Sequence, residues 1–453
     1  MTPKEYKNKE EVFDLIAESS IYGNLGLFIG AGLPMAILND AFTTVALSWP
    51  KLIEECCKNL KVDYNKINKA GSSYPEIATE LCKVYAIENS IDYQQAVKKL
   101  KEKIADITSW YPEKGKRKEY AEYFESINPK WVITTNYDTI IESILTGKGY
   151  SLSPSDYMVS QSDQIPVYHL HGLRTNPDSI IITQEDYISL FRPNEYRQQK
   201  LPLTIKESLT VLIGYNLGDF NVLTAVDWSK NVYSDKNVLY PQGIIQFLYC
   251  QSPKTTPYLT QNGIIIIEFN DLSSLLAELK MKIDSNVDEY QSLMADYRQF
   301  NQELLEAEDL DIVRFIDDDV HREDILKIFK DNDIMVISGL LEIYVRAIQK
   351  TWDRSGPSGA FHAYDENLKV TIDILINVEL KRMPPALLES AAYNLNSVAY
   401  YVGDHIGKSH AAWQRWNKDR AKISEDTIKE LMNISISRRY HNLKELLQNN
   451  RVV

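Results

Sequence analysis

Short apolar runs, closed by glycine or small polar residues, recur through the first 270 or so positions and then stop. They are Gly26–Gly30, Trp131–Thr134, Ile165–Leu170, Ile180–Thr183, Ser208–Gly214, Gly243–Tyr249 and Gly263–Phe269. Each is a continuous apolar stretch with little alternation, the pattern of a strand buried on both faces. Between them lie segments of helical periodicity: 10–20 (Val12, Phe13, Leu15, Ile16), 47–60, 74–105 and 139–146. Strands alternating with helices predict a mainly parallel sheet with helices on both faces, an α/β fold. Lys114-Gly-Lys-Arg-Lys118 reads as a solvated turn.

From Leu272 onward the strand pattern vanishes. Helical patterns cover 272–283, 288–308, 322–330, 336–352, 366–378, 384–401 and 425–448, interrupted by the loop-like Ser355-Gly-Pro-Ser-Gly359. With 453 residues the chain exceeds what one hydrophobic core usually serves. Two domains are expected: an α/β domain over 1–285 and an α-helical domain over 286–453.

Composition narrows the function classes. A hydrophobic fraction of 44% and a charged fraction of 25% are those of a globular protein. The net charge of −13 repels phosphate backbones, so direct nucleic-acid binding is not expected. Cys56, Cys57, Cys82 and Cys250 form no C-x-x-C pair, which argues against a disulfide framework and a four-cysteine zinc site. The charged first ten residues hold no apolar signal core, and no run nears the length of a membrane span. A soluble cytoplasmic protein without metal is expected.

Four segments offer chemistry. Gly30-Ala31-Gly32 follows a strand directly; it is either a tight turn or a place where backbone approaches a pyrophosphate. Thr134-Thr135-Asn136-Tyr137-Asp138 puts hydroxyls, an amide and a carboxylate at a strand end; it is either a capped Asx turn, with Asp138 as N-cap, or a ribose-binding edge. In His169-Leu170-His171-Gly172 two histidines lie two apart and would share a strand face. His171 is the better general base, whereas His169 reads as a packed or hydrogen-bonded residue. Gly214-Tyr215, with Asp219 after it, either flanks an adenosine or forms another strand-to-helix turn.

In this order, and with Ser48-Trp-Pro-Lys-Leu-Ile53, Ile182-Thr-Gln-Glu-Asp-Tyr187 and Leu212–Asp219, the segments resemble the SIR2 family, over roughly 20–270. The resemblance is to the bacterial branch whose members often serve in anti-phage defence. It implies a Rossmann-like domain that takes NAD. Gly30, Ala31 and Gly32 would contact the phosphates. Asn136, with Thr135 and Asp138 around it, would line the nicotinamide-ribose pocket and position a water, and His171 would be the base. Gly214, Tyr215 and Asp219 would line the adenosine side. The chain departs from deacetylating members: Leu33–Asp40 replaces their arginine-containing continuation, and their zinc cysteines are missing. That favours hydrolysis of NAD to nicotinamide and ADP-ribose over protein deacylation or a non-catalytic NAD or ADP-ribose sensor. For the helical domain the resemblance implies regulation, homo-oligomerisation or docking of a partner such as a HerA-like ATPase or an Argonaute-like protein.

Overall fold

The computed structural model describes residues 8–448 except 41, 68–71, 146, 160–162, 191–195, 216–240, 332–337 and 358. Asp219, one of the expected site residues, lies outside the described residues. The chain divides into two compact units, Met1–Tyr290 and Gln291–Val453.

The first unit begins with helix α1 (Lys9–Tyr22), capped by the Asn8 side chain on the Glu11 N–H and ended by Gly23 at φ 80°. Strand β1 (Leu25–Ile29), helix α2 (Gly32–Leu38) and helix α3 (Trp49–Leu60) follow. The expected helix over 74–105 is two helices, α4 (Tyr74–Asn89) and α5 (Tyr93–Ile107). Ser90 turns left-handed between them, and Asp92 caps α5 by accepting from Gln95 N–H. A capping residue can end one helix and start the next without breaking the apolar periodicity, so the pattern alone runs the two together.

The basic stretch read as a turn is the first part of helix α6 (Lys114–Ile127). Lys116 pairs with Glu119, and Lys118 approaches Glu122, both one helical turn on. Then come β2 (Trp131–Thr134), α7 (Ile140–Leu145), β3 (Gly149–Leu152), β4 (Ile165–His169), α8 (Gln184–Leu190), α9 (Tyr196–Lys206), β5 (Leu209–Ile213), β6 (Gly243–Tyr249), β7 (Tyr258–Leu259) and β8 (Ile265–Phe269).

The eight strands form one sheet in the order β3-β4-β2-β1-β5-β6-β8-β7, parallel except for β7 at one edge. All residues of β1, β2, β4 and β5 are buried, as continuous apolar runs require. Alternate side chains serve opposite faces. Leu25, Leu27, Ile29, Val132, Val211 and Ile213 join one core with α1, α6 and α7. Phe28, Trp131, Ile133, Tyr168 and Leu212 join another with Leu201 and Ile205 of α9. Helices α3, α4 and α5 form a third core that reaches Tyr137, Ile180 and Ile182.

Ile180–Thr183, expected as a strand, is not one. Its apolar side chains fill that third core, while its backbone is used singly: Ile181 N–H donates to His171 O at 2.8 Å, and Ile181 O accepts from the Tyr137 hydroxyl at 2.9 Å. Burial made the run apolar without a ladder.

Helix α10 (Leu272–Leu305) is continuous where two helices were expected, and the division between the units falls within it. The second unit continues with α11 (Asp309–Asp317), α12 (Asp319–Asp331), α13 (Ser338–Arg354), α14 (His362–Asn377), α15 (Pro385–Ala399), α16 (His410–Asp419), α17 (Glu425–Arg438) and α18 (His441–Gln448). The pattern read over 425–448 thus splits in two, with Arg439 left-handed at the break. These helices have their own core, with Trp416, Leu340, Leu395 and Phe315 at its centre. Several buried polar groups in it are paired. Asn394 donates to Asn367 and Thr371, and Arg322 bonds Asp373, Asp319 and the closing carbonyls of α11.

Candidate active site

The sheet order reverses direction between β1 and β5, because β2 lies on one side of β1 and β5 on the other. Open α/β sheets bind ligands outside the carboxyl ends of the strands at such a point. The register makes those ends level. Thr134 pairs with both Ile29 and His169, and Ile29 pairs with Ile213. His169, Thr134, Ile29 and Ile213 thus form one row across four strands. The next residues along each strand are Leu170-His171, Thr135-Asn136, Gly30-Ala31 and Gly214-Tyr215. Four segments that are distant in sequence meet on one edge.

Hydrogen bonds tie the edge together. The Thr134 hydroxyl donates to Ile29 O at 2.8 Å and accepts from Asn136 N–H at 3.0 Å. Leu170 N–H donates to Thr134 O at 2.8 Å, Gly30 N–H to Ile213 O at 2.9 Å, and Gly32 N–H to Gly214 O at 2.8 Å.

The glycines owe their identity first to this backbone crossing. A Cβ on Gly32 would stand 2.6 Å from Gly214 Cα, and one on Gly30 would stand 2.5 Å from Gly214 O. Gly214 itself has φ 63°, and its Cβ would meet Leu33 N at 2.3 Å. A side chain at Gly214 would therefore run into the Gly32–Leu33 backbone. Tyr215 is buried with its ring edge-on to Phe28, and its carbonyl accepts from the Gln246 amide at 3.1 Å.

Asn136 is 9% exposed, and its amide Nδ2 has no acceptor among the described residues. A buried amide without a partner is costly and rare in folded proteins, so its retention points to a ligand or a bound water. Thr135 beside it is buried as well. Asp138 is buried and accepts from Ile140 N–H at 3.1 Å, opening α7. Burial pushes its carboxyl up to about 6, against the lowering effect of the Ile140 N–H and of His169.

The two histidines do not share a strand face. β4 ends at His169, and Gly172 turns the chain at φ 94°. His171 is fully buried; its ring sits edge-on to Tyr187 at 5.3 Å, and its Nδ1 is 3.4 Å from the Tyr187 hydroxyl. His169, also fully buried, has Nδ1 3.0 Å from the Asn136 carbonyl and Nε2 2.8 Å from the Glu142 carboxylate. Burial works against charge on His169, but the Glu142 hydrogen bond and charge outweigh it and hold the imidazole above its ordinary pKa. Burial likewise works against charge on Glu142, yet His169 holds that carboxyl below the ordinary range.

Of the residues that meet here, Glu142 was not expected from the sequence, while Thr134 and Tyr187 stood in expected segments without a role of their own. Glu142 left a trace: it is a lone acid in the apolar stretch Ile140-Ile-Glu-Ser-Ile-Leu145. Among the described residues, no group of three or more His, Cys, Asp or Glu is arranged to hold a metal ion.

Residues 130–267 match the model of the SIR2-like domain. The range runs from the residue before β2 into β8 and contains Asn136, His171 and Gly214, while Gly30–Gly32 precede it. The chain is also similar to Defense-associated sirtuin 2 of Bacillus subtilis, 22% identical over 234 residues. That match covers 50% of this chain and 21% of the relative, so the chain spans about a fifth of that protein's length. The parallel sheet and the strand-end row at its point of reversal lie in the same part of the chain as these matches: residues 130–267 are similar to a SIR2-like domain.

Proposed function

We propose that this chain is an NAD glycohydrolase that cleaves the nicotinamide–ribose bond, releasing nicotinamide and ADP-ribose. The observation that carries the reading is the buried, unpartnered Asn136 amide, on the same strand-end row that leads into His171, Gly30–Gly32 and Gly214. In this reading the Asn136 amide holds the water or a ribose hydroxyl. The C1′–N bond breaks, and its electron pair leaves with nicotinamide, which becomes neutral. Water oxygen bonds to C1′, and its proton passes to His171. An oxocarbenium-like ribose gains from fixed dipoles and an oriented nucleophile in a site shielded from solvent. Thr135 and Asp138 line the ribose side, Gly30, Ala31 and Gly32 the phosphates, and Gly214 and Tyr215 the adenosine side.

The name of the Bacillus relative supports a role in defence; in this reading the defence is against phage, with NAD depletion as the effector step. The helical unit is assigned to regulation, self-association or docking of a partner such as a HerA-like ATPase or an Argonaute-like protein. Its place of action is the cytoplasm; no described helix is long and apolar enough to cross a membrane.

The test is nicotinamide release from NAD by the purified chain, alone and with the product of the neighbouring gene. Asn136→Ala and His171→Ala should each lower kcat by about 100-fold or more. Full activity in both variants, with folding intact, would sink the assignment.

A further inference from the structure

We propose that His169 serves the same site as a positioning residue: a buried imidazolium anchored by Glu142, it clamps the Asn136 backbone carbonyl and so fixes where the Asn136 amide points. The proposal rests on the hydrolase reading for its kinetic consequence, but its structural core stands apart from it.

His169 Nδ1 faces the Asn136 carbonyl at 3.0 Å, and Nε2 faces the Glu142 carboxylate at 2.8 Å. A carbonyl oxygen accepts only, and so does an ionised carboxylate. A neutral imidazole carries one N–H and would set a lone pair against one of those oxygens. Both contacts are satisfied with Nδ1–H on the Asn136 carbonyl and one proton between Nε2 and Glu142; because the Ser151 hydroxyl donates to that same Glu142 oxygen, we assign the proton to the ring and the charge to the carboxylate. His169 is fully buried and the Glu142 side chain is 16% exposed, so the pair is poorly screened and each charge depends on the other. The remaining groups facing the ring fit this state. Asp138, in the turn before α7, adds a carboxyl whose charge also favours the imidazolium. Ser151 of β3 donates to the same Glu142 oxygen.

Asn136 is thereby held at two backbone points. Its N–H is bound by the Thr134 hydroxyl and its carbonyl by His169. Its side-chain amide is left to a ligand. Histidines two residues apart would then act in opposite protonation states, His171 neutral as a base and His169 charged as a clamp.

The clamp needs His169 protonated and Glu142 ionised. It weakens as pH rises through the raised pKa of His169, and as pH falls through the lowered pKa of Glu142. The test uses the full chain labelled with 15N-histidine, in the absence of NAD. One histidine should keep both ring nitrogens protonated at about pH 7.5, above the ordinary imidazole pKa. That signal should vanish in His169→Gln and in Glu142→Gln. No such histidine, or one that survives His169→Gln, overturns the proposal.

In turnover, His169→Gln should lower kcat about tenfold or more with KM nearly unchanged, because a small misplacement of a catalytic group acts on the reacting step. Glu142→Gln can donate its amide to a neutral ring and keep the Nδ1–H on Asn136. It should recover part of that loss and shed the alkaline fall in kcat. Unchanged kcat in His169→Gln, or an unchanged pH profile in Glu142→Gln, overturns the kinetic role. If the imidazolium is present but NAD is not cleaved, the hydrolase reading alone fails. ADP-ribose binding then reads the clamp, and His169→Gln should weaken it as much as Asn136→Ala does.

Discussion

Asp138 shows how one buried carboxyl can cost stability. Its carboxyl is fully buried and moved from an ordinary 3.8 to about 6, which corresponds to about 3 kcal/mol. The folded state holds this proton more tightly than the unfolded one. The group's contribution is therefore complete below about pH 4 and lost as pH rises through 6. Asp138→Asn keeps an acceptor for the Ile140 N–H and removes the buried charge. It should raise stability at pH 8 by up to about 3 kcal/mol and change little at pH 4. Denaturant unfolding at the two pH values measures this; an equal effect at both would show that burial of the charge is not the cause. Removing that carboxylate also takes a negative neighbour from His169, so the variant should weaken the clamp while it stabilises the fold.

At the scale of elements, the strand ends depend on one close crossing. The Gly30–Gly32 turn and Gly214 occupy each other's Cβ space, and Gly214 is left-handed as well. Gly214→Ala should destabilise the first unit by about 2 kcal/mol or more through strain and backbone contact together. A thermal melt tests it, and a loss under about 0.5 kcal/mol, the level of an ordinary surface change, would mean the crossing relaxes freely. The central strands were legible in sequence because both of their faces are buried, which writes a continuous apolar run. The edge strands β3 and β7 were not. β3 is half-buried, β7 has two residues, and neither carries such a run. Ile180–Thr183 was misread for the complementary reason: its side chains are buried as in a strand, but its backbone partners are turn carbonyls, a tyrosine hydroxyl and the Asp186 carboxylate.

For the whole molecule, charge and cores set the behaviour. The basic cluster of α6 lies in a chain of net charge −13, and Lys116 and Lys118 have acidic neighbours on their own helix. The chain should not retain duplex DNA at about 0.15 M salt, where exposed charges more than about 8 Å apart are largely screened. A gel-shift titration checks this, and binding that weakens steeply with added salt would contradict it. The second unit has a core of its own, so Leu395→Ala, at a fully buried position, should cost it about 2–5 kcal/mol. Limited proteolysis should show faster cleavage within Gln291–Val453, with cleavage within Met1–Tyr290 unchanged. Faster cleavage in both would mean that the cores do not act separately.

The sequence by itself determined the alternation of buried strands and helices, the change to helices after residue 270, and the order of the segments that carry the family likeness. Those features follow from local burial and turn chemistry, which a chain records residue by residue. Tertiary structure decided the rest. Only register puts Ile29, Thr134, His169 and Ile213 in one row. Only the crossing of two backbones explains why Gly30, Gly32 and Gly214 are glycines. Only the positions of two acceptors, Asn136 O and Glu142, assign a charge to His169. A histidine's chemistry is set by what faces its two nitrogens. Here both partners come from other elements, 33 and 27 positions away in the chain.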